Sequence, residues 1–241
     1  MLSKLKSKSY PLKLFFTDFQ KFQVIYKVKS QRISYKSFEQ LSELYDIIKS
    51  LEAQDVAGEF IEAGCALGGS AVVISAAKQQ ARPFHLYDTF EMIPPPSEKD
   101  GEDVHERYEI ITQGKATGIS GDTYYGYQDN LLDEVTNTFT EFQLPTAAHN
   151  ITMHKGLFED TLSVDHPVAM AHLDCDWYES VLVCLQQIVP NLTVGGLLII
   201  DDYNDWSGCK QAIDEYFSDK QADFRFDFGS QLLIWRTNQS T

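Results

Sequence analysis

The chain has 241 residues, 43% of them apolar, enough for one α/β domain with a full core. Its formal charge of −15 argues against a nucleic-acid partner, because phosphate backbones attract the opposite sign. No apolar stretch approaches the ~20 residues of a membrane span, and the N-terminus lacks the apolar core of a secretory signal.

The charge is unevenly placed. Residues 1–36 hold nine Lys and Arg against one acid, Asp18, so this stretch carries +8 and the remainder −23. It also carries Tyr10, Phe15, Phe16, Phe19, Phe22 and Tyr26. The expectation is a basic aromatic arm (1–36), separate from a single domain (37–241), that docks on its own acidic body or on a second copy in a homo-oligomer. Four scattered cysteines, Cys65, Cys175, Cys184 and Cys209, form no close metal-binding pair, which suits buried thiols in a reducing cytoplasm.

Ser37 opens a helix with Gln40 at capping-box spacing, and Phe38, Leu41, Leu44, Tyr45, Ile48 and Leu51 recur at helical spacing. Glu59–Ala63 reads as a strand, followed by a glycine-rich turn and a helix from Ala71 to Lys78. Phe84–Tyr87 is a second strand, ending at Asp88. Residues 91–125 contain Pro94-Pro95-Pro96, a polar run and three glycines, and read as an irregular lid or insertion. A helix over Gln128–Phe139 precedes a third strand, Ile151–His154, that turns at Gly156. The fourth strand ends at Asp174 and the fifth at Asp201, each followed by a helix. Phe224–Phe228 and Gln231–Arg236 form a closing hairpin. Strands alternating with helices predict a doubly wound, mostly parallel sheet of seven strands with an antiparallel C-terminal hairpin.

Two acid pairs end two strands: Asp174 with Asp176, and Asp201 with Asp202. Strand carboxyl ends open into the ligand crevice of such a sheet, and oxygen ligands suit Mg²⁺. The four acids could converge on one hard cation. Asp176 alternates with Asp174 along an extended segment and is the first candidate for general base. His149, His154, His172 and Lys155 are its rivals. Glu62-Ala63-Gly64-Cys65-Ala66-Leu67-Gly68-Gly69-Ser70 is neither the dinucleotide fingerprint nor a phosphate loop. Its acid would repel a pyrophosphate and suit a cationic end, and Asp88 can accept two ribose hydroxyls. A ligand with a cationic end and a free ribose describes S-adenosylmethionine.

Glu62-x-Gly64-x-x-x-Gly68-Gly69-Ser70, Asp88-Thr89-Phe90-Glu91, the block DCDWYES from Asp174, and Gly195-Gly196 through Asp201-Asp202-Tyr203 together resemble the macrocin O-methyltransferase family, in order from about Phe38 to Arg236. The resemblance implies a Rossmann-like class I methyltransferase that uses S-adenosylmethionine and Mg²⁺ to methylate sugar hydroxyls on natural products. It implies metal at Asp174, Asp201 and Asp202 and a base at Asp176. The cofactor site it implies comprises Glu62, Gly64, Ala66, Ser70, Asp88 and Thr89. Gly156, Leu157 and Phe158 lie towards the adenine, and Asp174 is shared with the metal. The expected acceptor is a small hydroxylated molecule such as a glycoside. A catechol or phenol methyltransferase shares fold, cofactor and metal. The triplet Asp174-Cys175-Asp176 also fits the D-x-D site of a nucleotide-sugar glycosyltransferase, which has no use for the glycine turn.

Overall fold

The computed structural model describes residues 11 and 14–237. Its frame is a seven-stranded sheet: β1 (Glu59–Ala63), β2 (Phe84–Asp88), β3 (Ile151–Lys155), β4 (Val168–Leu173), β5 (Leu192–Ile200), β6 (Phe224–Phe228) and β7 (Leu232–Arg236). The order is β3-β2-β1-β4-β5-β7-β6, with the first five parallel and the last two antiparallel. This is the doubly wound sheet with a C-terminal hairpin, and β7 lies between β5 and β6. The order reverses between β1 and β4, which is where open α/β sheets hold ligands.

The central strands are apolar without interruption because both sheet faces are covered. Along β5, Leu197 and Ile199 pack on one face and Leu198 and Ile200 on the other, all fully buried. The first face is covered by α1 (Phe19–Ser30), α2 (Phe38–Ala53), α3 (Gly69–Ala77) and α5 (Leu131–Glu141). The second is covered by α7 (Tyr178–Ile188) and α8 (Ser207–Tyr216). Each such side chain contributes roughly 1.5–3 kcal/mol by burial. The capping box at α2 is formed: Gln40 N–H donates to Ser37 Oγ at 3.1 Å, and Ser37 N–H donates to Gln40 Oε1 at 2.8 Å.

The described part of the N-terminal stretch packs on the body of the domain, and one other segment differs from the sequence reading. Ile25 and Val28 of α1 are fully buried in the core shared with α2 and α3, and Lys21 pairs with Asp46 of α2. Tyr10 and residues 1–9 lie outside the described residues. The stretch 91–125 is not irregular throughout: α4 (Glu102–Thr112) runs through it, its buried face marked by Val104 and Ile111 seven residues apart. Its approach is pinned over the strand ends. Trp177 Nε1–H donates to the Pro94 carbonyl at 2.9 Å, and Tyr178 N–H donates to Asp100 Oδ1 at 2.8 Å. The short α6 (Phe158–Thr161) follows β3. Among the described residues no helix is long and apolar enough to cross a membrane.

Candidate active site

The crevice lies over the β1 and β4 ends. At Gly64 the chain turns with φ +84°, and a Cβ there would fall 1.9 Å from the Asp174 carbonyl oxygen. Only glycine lets the loops after β1 and β4 pass this closely. Asp88, at the end of β2, points into the same turn. Its Oδ2 accepts from Cys65 N–H at 2.8 Å and Ala66 N–H at 3.0 Å, and its Oδ1 accepts from Phe90 N–H at 2.7 Å. Burial raises its pKa while these three N–H groups pull it back down. A carboxylate offers about four acceptor sites, so three are taken and the Thr89 hydroxyl lies 3.4 Å from Oδ1. Ribose hydroxyls reaching Asp88 would take the place of some of these donors.

Glu62 is placed differently from its expected role. It is fully buried in β1, opposite His172 of β4 in register, and its Oε1 lies 2.7 Å from His172 Nδ1. It lines neither of the two cavities in the crevice. The strand period turns position 62 into the sheet layer rather than towards the loop.

The acid cluster forms at the ends of β4 and β5. Asp174, Asp176 and Asp202 each offer a carboxylate oxygen within 4.8 Å of the others. Asp176 does not arrive there by strand alternation, because β4 ends at Leu173 and Asp176 sits in the left-handed region at φ +58°. That turn swings its backbone towards Asp202, whose Oδ2 lies 3.4 Å from Asp176 N. Burial, then the charge of its neighbours, raises these carboxyls: Asp176 to about 7, Asp174 to about 6, and Asp202 well above its ordinary value. Lys36 opposes the rise at Asp174.

Asp201 stands apart from this trio. Its Oδ1 pairs with the Lys36 ammonium and accepts from Gln231 Nε2, beside β7. Burial works against its charge, but Lys36 outweighs burial and holds Asp201 below the ordinary carboxylate range. The expected set of Asp174, Asp201 and Asp202 thus becomes, in this arrangement, a compact set of Asp174, Asp176 and Asp202, with Asp201 held by a lysine.

A cavity of about 620 Å³ spans the glycine turn and the acids, with Gly64, Ala66, Ser70, Asp88, Asp174 and Asp202 on its wall. A smaller cavity of about 120 Å³ shares Gly64, Asp88, Asp174 and Asp176 and extends to Thr89, Gly156, Leu157 and Phe158. The rivals for base are engaged elsewhere. His172 is buried against Glu62; His154 lies 3.0 Å from His85 and stacks on Tyr87; Lys155 pairs with Glu91; His149 lies against the Pro145 carbonyl.

Two groups of residues escaped the sequence reading: the strap before α2, and the wall formed by Tyr124, Tyr125 and Arg107. Ile33, Ser34 and Lys36, between α1 and α2, lie over the glycine turn; a Cβ on Gly69 would overlap the Ile33 carbonyl. No local pattern marks them. Tyr124 and Tyr125 line the large cavity, and Arg107 of α4 joins them with its guanidinium 5.6 Å from the Tyr124 ring centre. The run Tyr124-Tyr125-Gly126-Tyr127 is the signal that could have located this wall.

Residues 33–226 match the family model of Macrocin-O-methyltransferase (TylF). The chain is 25% identical over 199 residues to demethyldecarbamoylnovobiocin O-methyltransferase of Streptomyces niveus, covering 80% of this chain and 68% of that one. It is 28% identical over 182 residues to 8-demethyl-8-(2,3-dimethoxy-alpha-L-rhamnosyl)-tetracenomycin-C 4'-O-methyltransferase of Streptomyces olivaceus, covering 73% of this chain and 64% of that one. The O-methyltransferase NovP has the same fold, with a TM-score of 0.69 at 21% identity over 84% of this chain and 81% of its own. These matches leave no room for the glycosyltransferase reading. The chain belongs to the macrocin O-methyltransferase family of S-adenosylmethionine-dependent enzymes.

Proposed function

We propose that this protein moves a methyl group from S-adenosylmethionine to a hydroxyl of a sugar carried by a natural product, with Mg²⁺ held among the acids. The observation that carries the reading is the trio Asp174, Asp176 and Asp202, sharing one cavity with the glycine turn. The trio suits a hard dication: three convergent carboxylate oxygens, raised in pKa by burial and by each other's charge. Gly64, Ala66, Ser70, Asp88 and Thr89 would hold the cofactor, with Gly156, Leu157 and Phe158 at its adenine end. The bound metal would stabilise negative charge on the acceptor oxygen.

The chain's own groups account for the rest. Asp176 would take the hydroxyl proton onto its second carboxylate oxygen, the one not offered to the metal. The acceptor oxygen forms its bond to the methyl carbon as the carbon–sulfur bond breaks, giving a methyl ether and S-adenosylhomocysteine. Trp206, half-buried and 5.6 Å from Trp177 in an edge-to-face pair, presents aromatic surface for the apolar face of a sugar. Four buried free thiols suit the reducing cytoplasm.

Two relatives named for natural-product O-methylation, one for a position on a rhamnosyl group, favour the sugar over a catechol. The test is methyl transfer to a glycoside panel and a catechol panel, with Mg²⁺ or with chelator, read by product mass. Methylated glycosides that vanish in chelator are expected. Undiminished turnover in chelator refutes the metal; faster catechol turnover refutes the sugar.

A further inference from the structure

Lys36 brings an ammonium directly onto the acids, and its place is unusual. The side chain is 4% exposed, its ammonium touches Asp201, and it lies 3.4 Å from Asp174. It comes from the strap between α1 and α2, whose Ile33 carbonyl rests on Gly69 and whose residues 33–36 line the large cavity. It thus stands on two of the three carboxylates that the sequence assigned to Mg²⁺.

Asp174 belongs both to the proposed metal trio and to the lysine's pair of acids, so the two cations compete for it. Mg²⁺ draws carboxylate oxygen to about 2.0–2.1 Å and prefers a near-octahedral shell. An ion among Asp174, Asp176 and Asp202 would draw Asp174 away from the ammonium and set a dication beside it, in a buried place where like charges repel strongly. An unpaired buried lysine is itself costly, so the ammonium must keep a carboxylate or leave.

We propose that Lys36 is a resident competitor of the metal: it holds Asp174 and Asp201 while the site is metal-free, and metal entry drives it and its strap off the acids. The strap lies on the cofactor turn, so metal loading loosens the cover of the cofactor cavity. This rests on the metal reading above.

The experiment measures Mn²⁺ binding by electron paramagnetic resonance, with no acceptor and no turnover, for the wild type, Lys36→Met and Lys36→Arg. Competition predicts that Lys36→Met binds at least about ten-fold tighter than wild type, with Lys36→Arg close to wild type. Equal or weaker binding by a folded Lys36→Met protein overturns the proposal, since Lys36 would then orient the acids rather than compete for them. A second measurement needs no variant. Amide exchange of residues 31–37 in the wild-type protein should rise when Mg²⁺ saturates it, and unchanged exchange also overturns the proposal. If Mn²⁺ binds neither wild type nor Lys36→Met, the metal reading fails and takes this one with it. Binding without competition fails this one alone.

Discussion

On the β2 side of the crevice, Asp88 meets three backbone N–H groups at 2.7–3.0 Å. On the β4 and β5 side, Asp174, Asp176 and Asp202 meet chiefly one another, with the nearest cation drawn to Asp201. Asp88 and Asp202 are buried, Asp174 and Asp176 half-buried, and all four are raised, yet they differ in what opposes the rise. At Asp88 it is opposed by donors belonging to the fold. At Asp176 and Asp202 the neighbouring carboxylates add to it. A carboxylate satisfied from within shapes the turn a ligand will touch. Carboxylates left facing each other store a demand that a cation can meet. The contrast separates groups that build a site from groups that wait for its occupant.

The strongest way to break this contrast is to remove a waiting acid. Asp202→Ala should weaken Mg²⁺ by more than the roughly 10–100-fold that losing an outer partner costs, and turnover should fall with it. Titration calorimetry checks the first and product mass the second; full activity at ordinary Mg²⁺ would end the metal assignment. Asp176→Asn should lower kcat by about 10²–10⁴ while cofactor affinity holds, as steady-state kinetics and S-adenosylhomocysteine titration would report.

Stability sharpens the contrast further, because the two sides should respond with opposite signs. Asp88→Ala leaves the Cys65, Ala66 and Phe90 amides without their acceptor and should cost about 2–5 kcal/mol. Asp202→Asn removes repulsion from the metal-free cluster and should raise Tm in chelator at pH 8. Calorimetry of both variants decides; a drop in both would mean the cluster is satisfied after all.

The smallest effect is on pH. With Asp176 near 7 and Asp174 near 6, against 3.8 for a free side chain, the metal-free folded state holds extra protons between about pH 4 and 7. Its stability contribution therefore falls as pH rises through that window. Mg²⁺ must displace those protons, so its apparent affinity should weaken from pH 8 to pH 6. Proton release on binding should appear in the same interval, seen as a buffer-dependent calorimetric enthalpy. Flat affinity across that range would contradict the raised carboxyls.

Much of this was legible in the residues. The strand ends at Asp88, Asp174 and Asp201 follow from apolar runs that stop at acids, and the glycine turn follows from spacing. What escaped depends on the third dimension. Glu62 faces His172 because β1 and β4 pair in one register, and no single strand reveals its partner. Asp176 reaches Asp202 through a left-handed turn, where the sequence reading continues the segment as extended. Lys36 lies in a basic stretch that reads as an arm, and only the packing of α1 against α2 and α3 carries it to Asp201. Local pattern finds the elements; long-range docking decides which charges meet.

The edge-to-face pair of Trp177 and Trp206 gives the molecule an optical consequence. Two indoles 5.6 Å apart at 78° couple in their electronic transitions, and both border the large cavity. The remaining tryptophan, Trp235, lies on β7, away from that cavity. Near-ultraviolet circular dichroism should therefore carry an exciton signal that shifts when an acceptor enters. Trp177→Phe would silence it, and Trp235 would serve as a steady internal reference, so occupancy could be followed without a label.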